Sequence, residues 1–138
     1  MRQLTINSNS MLPLLKINDR VVVNNTNSFV IGDILVYKKN KSFVGHRLVK
    51  KSELGFFVKG DNDPTVELVS SNKILGKIIL INNYKFKNNF IEKIISHCSY
   101  VQSKIPFIFN IKNDLLRKAF KFLTNPLLYL AHSSKHCL

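Results

Sequence analysis

Two serines that could do chemistry lie close to the amino terminus, in the segment Asn7-Ser8-Asn9-Ser10-Met11-Leu12-Pro13. A serine hydroxyl is a weak nucleophile, which reacts only when it is held beside its target and beside a base. Met11 and Pro13 restrict the chain directly after Ser10, so this segment can present a hydroxyl on a fixed, exposed turn. Clusters of Ser and Asn also form ordinary turns, and the segment alone leaves both interpretations open.

A base for Ser10 is available in His46, because the other three histidines lie in the carboxyl-terminal part of the chain. An unperturbed imidazole titrates at about pH 6.5, which suits a general base near neutrality. The neighbouring Gly45 would let a substrate backbone approach closely. The alternative is a purely structural histidine on a strand.

Three carboxylates, those of Asp61, Asp63 and Glu67, fall in one short segment at residues 59–67. One of them could orient the imidazole and stabilise its charged form, as in a catalytic triad. A calcium-binding loop and an ordinary Asx turn are the other interpretations.

The first part of the chain alternates short β-branched segments with turns of Gly, Asn and Asp, a pattern typical of strands. The predicted strands cover residues 3–6, 20–23, 34–37, 43–49, 56–59, 66–69 and 74–81. Gly76 interrupts the last one, as at a bulge or a close backbone approach. We therefore predict a mainly β fold, a small barrel or sandwich, over residues 1–86.

Residues 87–138 predict a basic, apolar helical extension. Apolar residues recur at helical spacing over 89–100 and 113–123, and residues 82–138 carry nine Lys or Arg against two acids. Such an extension can lie on an anionic bilayer, or pack on the β domain or on a membrane-anchored partner. No apolar run is long enough to span a bilayer, and residues 1–9 predict no secretory signal. The expected location is peripheral to a membrane or cytoplasmic.

The formal charge of +13 on 138 residues favours an anionic partner. No Lys/Arg block is long enough for a nucleic-acid arm, so an anionic membrane is expected rather than nucleic acid. Cys98 and Cys137 predict no disulfide framework. Zinc binding by these cysteines with His97, His132 and His136 is an open alternative, but we expect neither a metal nor an organic cofactor.

Six segments, taken in order, resemble the catalytic core of type I signal peptidases over about residues 6–82. They are Ser8-Asn9-Ser10-Met11-Leu12-Pro13, Asn18-Asp19-Arg20-Val21-Val22-Val23, Gly32-Asp33-Ile34-Leu35-Val36-Tyr37, Gly45-His46-Arg47-Leu48-Val49, Lys59-Gly60-Asp61-Asn62 and Leu75-Gly76-Lys77-Ile78. The resemblance is to the Ser-His form, found in the endoplasmic reticulum, in archaea and in some Gram-positive bacteria. It implies the β fold that signal peptidases share with the self-cleaving SOS repressors.

The resemblance also implies a role for each site residue. Ser10 would be the acyl-forming nucleophile and His46 its base, where bacterial signal peptidases and SOS repressors have a lysine. The Ser10 backbone N–H and the Ser8 hydroxyl would form the oxyanion hole. Asp61 matches the acid of the Lys-Gly-Asp-Asn motif, and Glu67 stands where the Ser-His family has a second aspartate. Asp63 is an alternative acid.

The predicted function is therefore that of a serine endopeptidase, which cleaves a signal or leader peptide from a peptide or preprotein. The sequence departs from the family at Asn18, where a glycine is usual, and predicts no amino-terminal membrane anchor. Three alternatives stay open. They are a leader-trimming protease for a small modified peptide, a self-processing regulator that uses Lys50 or Lys51, and a non-catalytic module.

Overall fold

The computed structural model describes residues 1–109, apart from the side chains at 102 and 105–109. Within that range the chain forms eight β-strands followed by an α-helix, and a 3-10 turn at Ser71–Lys73 precedes the seventh strand. The elements are β1 Arg2–Thr5, β2 Arg20–Asn24, β3 Ile34–Lys39, β4 Ser42–Ser52, β5 Gly55–Lys59, β6 Val66–Val69, β7 Ile74–Ile81, β8 Tyr84–Lys85 and α1 Phe90–Phe109.

All strand pairs are antiparallel, in the order β1-β2-β7-β3-β4-β5-β6, with β8 added to β7. The sheet curls into a half-barrel, which confirms the predicted mainly β fold with a carboxyl-terminal helix. All seven predicted strands are present. Of the elements within residues 1–109, only the two-residue β8 and the 3-10 turn were missed, since both are too short for a periodic pattern. The second predicted helix, at 113–123, lies outside the described residues.

Two apolar clusters cover the two faces of β3, because successive residues of a strand point to opposite sides. Ile34 and Val36 belong to the cluster that also holds Met11 and Leu15. The other cluster consists of Phe29, Leu35, Tyr37, Leu48, Val58 and Val69. Burial of each large apolar side chain contributes about 1.5–3 kcal/mol. Met11, directly after Ser10, and Leu15 thus anchor the serine segment in the core.

The turns that precede β2 and β3 share one backbone conformation and one kind of hydrogen bond. Asn18 and Gly32 both have a left-handed backbone, with φ of 74° and 98°. In each turn the next residue is an aspartate that accepts the backbone N–H three positions earlier, at 2.7 Å for Asp19 and 2.9 Å for Asp33. Asparagine tolerates the left-handed region better than most residues, so Asn18 can take the conformation that Gly32 takes in the second turn.

Gly76 lies at a register shift between β3 and β7, opposite Val36. Its φ is 151°, and a Cβ atom there would lie 2.1 Å from the backbone oxygen of Asn24. The predicted irregularity and close backbone approach are both confirmed.

Helix α1 packs on β4 through a largely polar face. Its buried residues are Glu92, Ile95, Ser96 and Ser99. Several apolar side chains of the same helix, Phe90, Ile91, Ile94 and Val101, are exposed instead. No helix among the described residues has the length and apolar character that crossing a bilayer requires.

Candidate active site

The serine loop is held against the loop that follows β5 by two hydrogen bonds from Asn62. Its backbone N–H donates to the Ser10 carbonyl at 2.8 Å, and its side-chain amide donates to the Asn9 carbonyl at 3.2 Å. The Ser10 hydroxyl lies 3.4 Å from the Ser8 hydroxyl, which is long for an O–H···O bond. The backbone of Ser10 is therefore fixed while its hydroxyl is weakly held.

His46 is buried on β4, opposite Leu35 of β3. Its Nδ1 lies 3.1 Å from the Tyr37 hydroxyl, and its Nε2 faces Gly60. A Cβ atom at Gly60 would lie 3.3 Å from Nε2 and 2.6 Å from the Ser10 carbonyl oxygen. Ser10 and His46 thus meet around Gly60. Among the described residues no hydrogen bond joins the Ser10 hydroxyl to His46, a contact that often forms only when substrate binds.

We expect Gly60→Ala to lower the free energy of unfolding by about 1–3 kcal/mol, the usual cost of overpacking. The added methyl would collide with the Ser10 carbonyl and with Asp63 Cβ, 2.9 Å away. Urea unfolding measures this effect. Gly45→Ala is the matched control, since the nearest atom to its added methyl would be 3.9 Å away. A Gly60→Ala protein as stable as this control would contradict the geometry.

The three candidate acids have three different partners. Asp61 forms a two-point ion pair with Arg47, at 2.8 and 2.7 Å. Asp63 accepts two hydrogen bonds from Thr65 within its own turn. No hydrogen bond joins any of the three carboxylates to His46. Glu67 comes nearest in the hydrogen-bond network, because it accepts the Tyr37 hydroxyl at 3.0 Å and Tyr37 contacts the imidazole.

Arg47 points away from His46, as adjacent strand residues must, and joins three parts of the fold. Besides Asp61 it donates to Glu92 of α1 and, at 3.3 Å, to the Gly32 carbonyl. The side chains of Arg47, Asp61 and Glu92 are all fully buried. Burial would lower the pKa of Arg47, but the two carboxylates outweigh it and raise that pKa. This network explains why α1 buries a polar face.

Burial lowers the pKa of His46 below its ordinary value, although Glu67 and Asp63 act in the opposite direction. The imidazole is therefore neutral at neutral pH and can accept a proton. Burial would raise the pKa of Glu67, but hydrogen bonds from Lys39 and Tyr37 lower it. Glu67 is consequently ionised under the same conditions.

A cleft of about 420 Å³ opens between β1 and the first half of β4. Its walls include residues 4–6 and 42–45, and both Ser8 and Ser10 line it. Phe43, which lines the cleft, lies under the Arg2 guanidinium, 5.4 Å from the ring centroid. The cleft is thus lined by residues of two strands and by the candidate nucleophile.

The remaining sequence candidates lie apart from this cleft. His97 and Cys98 are exposed on α1, and their suggested zinc partners lie beyond residue 109. Residues 1–109 bring no three His, Cys, Asp or Glu side chains together as a metal site. Lys50 and Lys51 are both exposed. Tyr37 is the site residue that sequence reasoning missed, since a tyrosine on an apolar strand indicates only core.

Comparison of the chain with family models and with curated proteins found no match. The relationship to signal peptidases therefore stays a prediction that rests on the ordered motifs.

Proposed function

We propose that this protein is a Ser-His endopeptidase of the signal-peptidase type, which cleaves an extended signal or leader peptide. One observation carries the proposal. The cleft lined by Ser8 and Ser10 is bordered by two strand edges that have no partner among the described residues, and His46 lies beside the Ser10 carbonyl.

The two free edges suit an extended peptide. β1 pairs only with β2 in the described part of the chain. β4 pairs with β3 along its first half, but its pairing with β5 begins only at Arg47, so the other edge of residues 42–46 is open. A peptide strand laid in the cleft can hydrogen-bond to one edge or both, which is recognition by strand addition. The limited volume favours small side chains next to the cleaved bond.

The proposed reaction is acyl transfer through an ester on Ser10. The Ser10 hydroxyl turns from Ser8 to His46, and Oγ attacks the peptide carbonyl while its proton moves to Nε2. The Ser10 N–H and the Ser8 hydroxyl bind the developing oxyanion, where each such donor contributes about 3–4 kcal/mol. The imidazolium then protonates the leaving amide nitrogen, and the C–N bond breaks.

Water completes the cycle. His46 Nε2 removes a proton from a water molecule, whose oxygen attacks the ester carbonyl. The proton returns to Ser10 Oγ as the acid product leaves. The test is cleavage of a library of internally quenched extended peptides by the wild-type chain and by Ser10 and His46 variants.

Of the alternatives, leader trimming for a small modified peptide uses the same site and differs only in substrate. A self-processing regulator that uses Lys50 or Lys51 is less well supported, because both lysines are exposed while the buried His46 lies beside Ser10. A non-catalytic module would not require a fixed serine loop. The two hydrogen bonds by which Asn62 holds this loop therefore favour the enzyme.

We also propose that α1 holds the enzyme on an anionic bilayer. Phe90, Ile91, Ile94 and Val101 are 43–76% exposed and lie on the helix face turned away from β4. Lys93, His97 and Lys104 are exposed along one side of that face, since their spacings of four and seven residues align on a helix. Apolar side chains beside two exposed lysines are complementary to an anionic lipid surface, which attracts each Lys by about 1 kcal/mol.

We expect the chain to cosediment with phosphatidylglycerol-containing vesicles and much less with pure phosphatidylcholine vesicles. The double variant Ile94→Ser/Val101→Ser should bind the anionic vesicles at least about tenfold more weakly, given the free energy of burying two aliphatic side chains. Ile17→Ser is the matched control, because Ile17 is equally exposed (47%) but lies outside α1. Unchanged vesicle binding by the double variant would contradict the proposal that this surface binds lipid. Concentration-dependent self-association through the surface would show instead that its partner is a second copy of the protein.

A further inference from the structure

Tyr37 is a buried tyrosine with no part in the reaction as written above. It lies on β3, and its hydroxyl sits between two groups from other strands. His46 Nδ1 of β4 is 3.1 Å away, and Glu67 Oε2 of β6 is 3.0 Å away. Lys39, two residues along the same face of β3, holds the other carboxylate oxygen of Glu67 at 2.5 Å. These four side chains form a continuous polar chain that ends at the imidazole.

The number of protons shared among these four side chains determines the tautomer of His46. An ionised carboxylate only accepts hydrogen bonds, so the single Tyr37 proton points to Glu67. The Tyr37 oxygen can then only accept from His46, which places the imidazole proton on Nδ1. A neutral imidazole carries one such proton, and Nε2 is therefore left with the lone pair on the side of Gly60 and Ser10.

We propose that Tyr37 is the positioning residue of the base, a neutral hydroxyl inserted between the imidazole and the carboxylate of Glu67. This inference rests on the proposed function, in which His46 Nε2 accepts the Ser10 proton. Glu67 thereby acts on His46 without a hydrogen bond to it. The carboxylate accepts the Tyr37 hydroxyl proton, and the Tyr37 oxygen in turn accepts the imidazole N–H.

The other two candidate acids have hydrogen-bond partners other than the imidazole. Asp61 pairs with Arg47, and Asp63 accepts from Thr65. Burial is the largest influence on the pKa of His46 and favours the neutral ring, whereas Glu67, Asp63 and Asp61 favour the imidazolium and Lys39 opposes it. A hydroxyl partner suits a ring that rests in the neutral form.

The test is the tautomer of His46, read by nitrogen NMR of the histidine-labelled full chain at neutral pH without substrate. The His46 signals are assigned by their loss in His46→Gln. We expect the Nδ1–H tautomer in the wild-type chain. Tyr37→Phe should lose this preference, and Glu67→Ala should move the proton toward Nε2, because the tyrosine proton is then free to point at Nδ1. Tyr84→Phe, at an exposed tyrosine, should change nothing.

Kinetics with a cleaved library peptide provide the second readout. Tyr37→Phe should lower kcat by about 10- to 100-fold, a part of what a positioned base contributes, with KM nearly unchanged. An Nε2–H tautomer in the wild-type chain, or an unaltered tautomer or kcat in Tyr37→Phe, would overturn the positioning role. The NMR measurement needs no substrate, so absent cleavage together with the expected tautomer would instead refute the proposed peptidase.

Discussion

The Ser10→Ala variant is expected to cleave peptides about a millionfold more slowly than the wild-type chain, the scale of loss when a serine nucleophile is removed. The variant has no oxygen that can form the ester. Its stability should be nearly unchanged, since the one hydrogen-bond contact of the hydroxyl within the described residues is the long one with Ser8, and the backbone contact with Asn62 remains. The measurement is product formation from internally quenched peptides, followed by mass spectrometry, with thermal unfolding in parallel.

His46→Ala should be as inactive as Ser10→Ala, and the double variant no worse than either, because the two groups act as one unit. Ser28→Ala, in the polar loop before β3, is the matched control and should be fully active. The wild-type kcat/KM should stay constant as pH falls to about 6.5 and decrease only below it, since the pKa of His46 is lowered and the neutral ring is the base. Full cleavage by Ser10→Ala would refute the enzyme assignment.

The Arg47→Met variant is expected to lose about 3–5 kcal/mol of unfolding free energy, the usual cost of removing one partner from a buried ion pair. Methionine fills a similar volume but leaves Asp61 and Glu92 buried without their cation. Cleavage should also fail, because Asp61 lies between Gly60 and Asn62, which position His46 and the serine loop. Urea unfolding followed by circular dichroism measures the first effect, and the peptide assay the second.

The triple variant Arg47→Met/Asp61→Asn/Glu92→Gln should recover part of that stability, since neutral amides cost less to bury than carboxylates. Such non-additivity is expected for groups in one network. Lys51→Met, an exposed position on the same strand, is the control and should change stability by less than about 0.5 kcal/mol. An Arg47→Met protein as stable as this control would show that the network does not hold α1 on the sheet.

His46 and Arg47 are adjacent on β4 and point to opposite sides of the sheet. One side chain faces Tyr37 and the other faces Asp61 and α1, so neighbouring residues on β4 serve the proposed chemistry and the packing of the helix. Because Glu92 and Asp61 share one guanidinium, Arg47 links α1 to the loop that contains Gly60 and Asn62. The membrane surface proposed for α1 would then be coupled to the site through Arg47.

The strands and turns of this protein could be predicted from its sequence because their causes are local. Each of these patterns spans only a few residues, whether it is the alternation of β-branched residues, the position of Gly76 or the two turns that contain an aspartate. The described structure has all of them. The two short elements, β8 and the 3-10 turn, were missed. Residue type and the ordered motifs selected Ser10 and His46, which the fold brings together around Gly60. Their catalytic role stays a prediction.

Only the tertiary structure decided the partners of the acids and the place of Tyr37. Asp61, Asp63 and Glu67 lie within seven residues of each other, yet they bind Arg47, Thr65 and Tyr37, respectively. The contacts of Tyr37 are nine and 30 residues away along the chain, and Glu92 reaches Arg47 over 45 residues. Sequence patterns indicate which face of a strand a side chain occupies. The group that it meets there depends on how the sheet curls and where the helix packs.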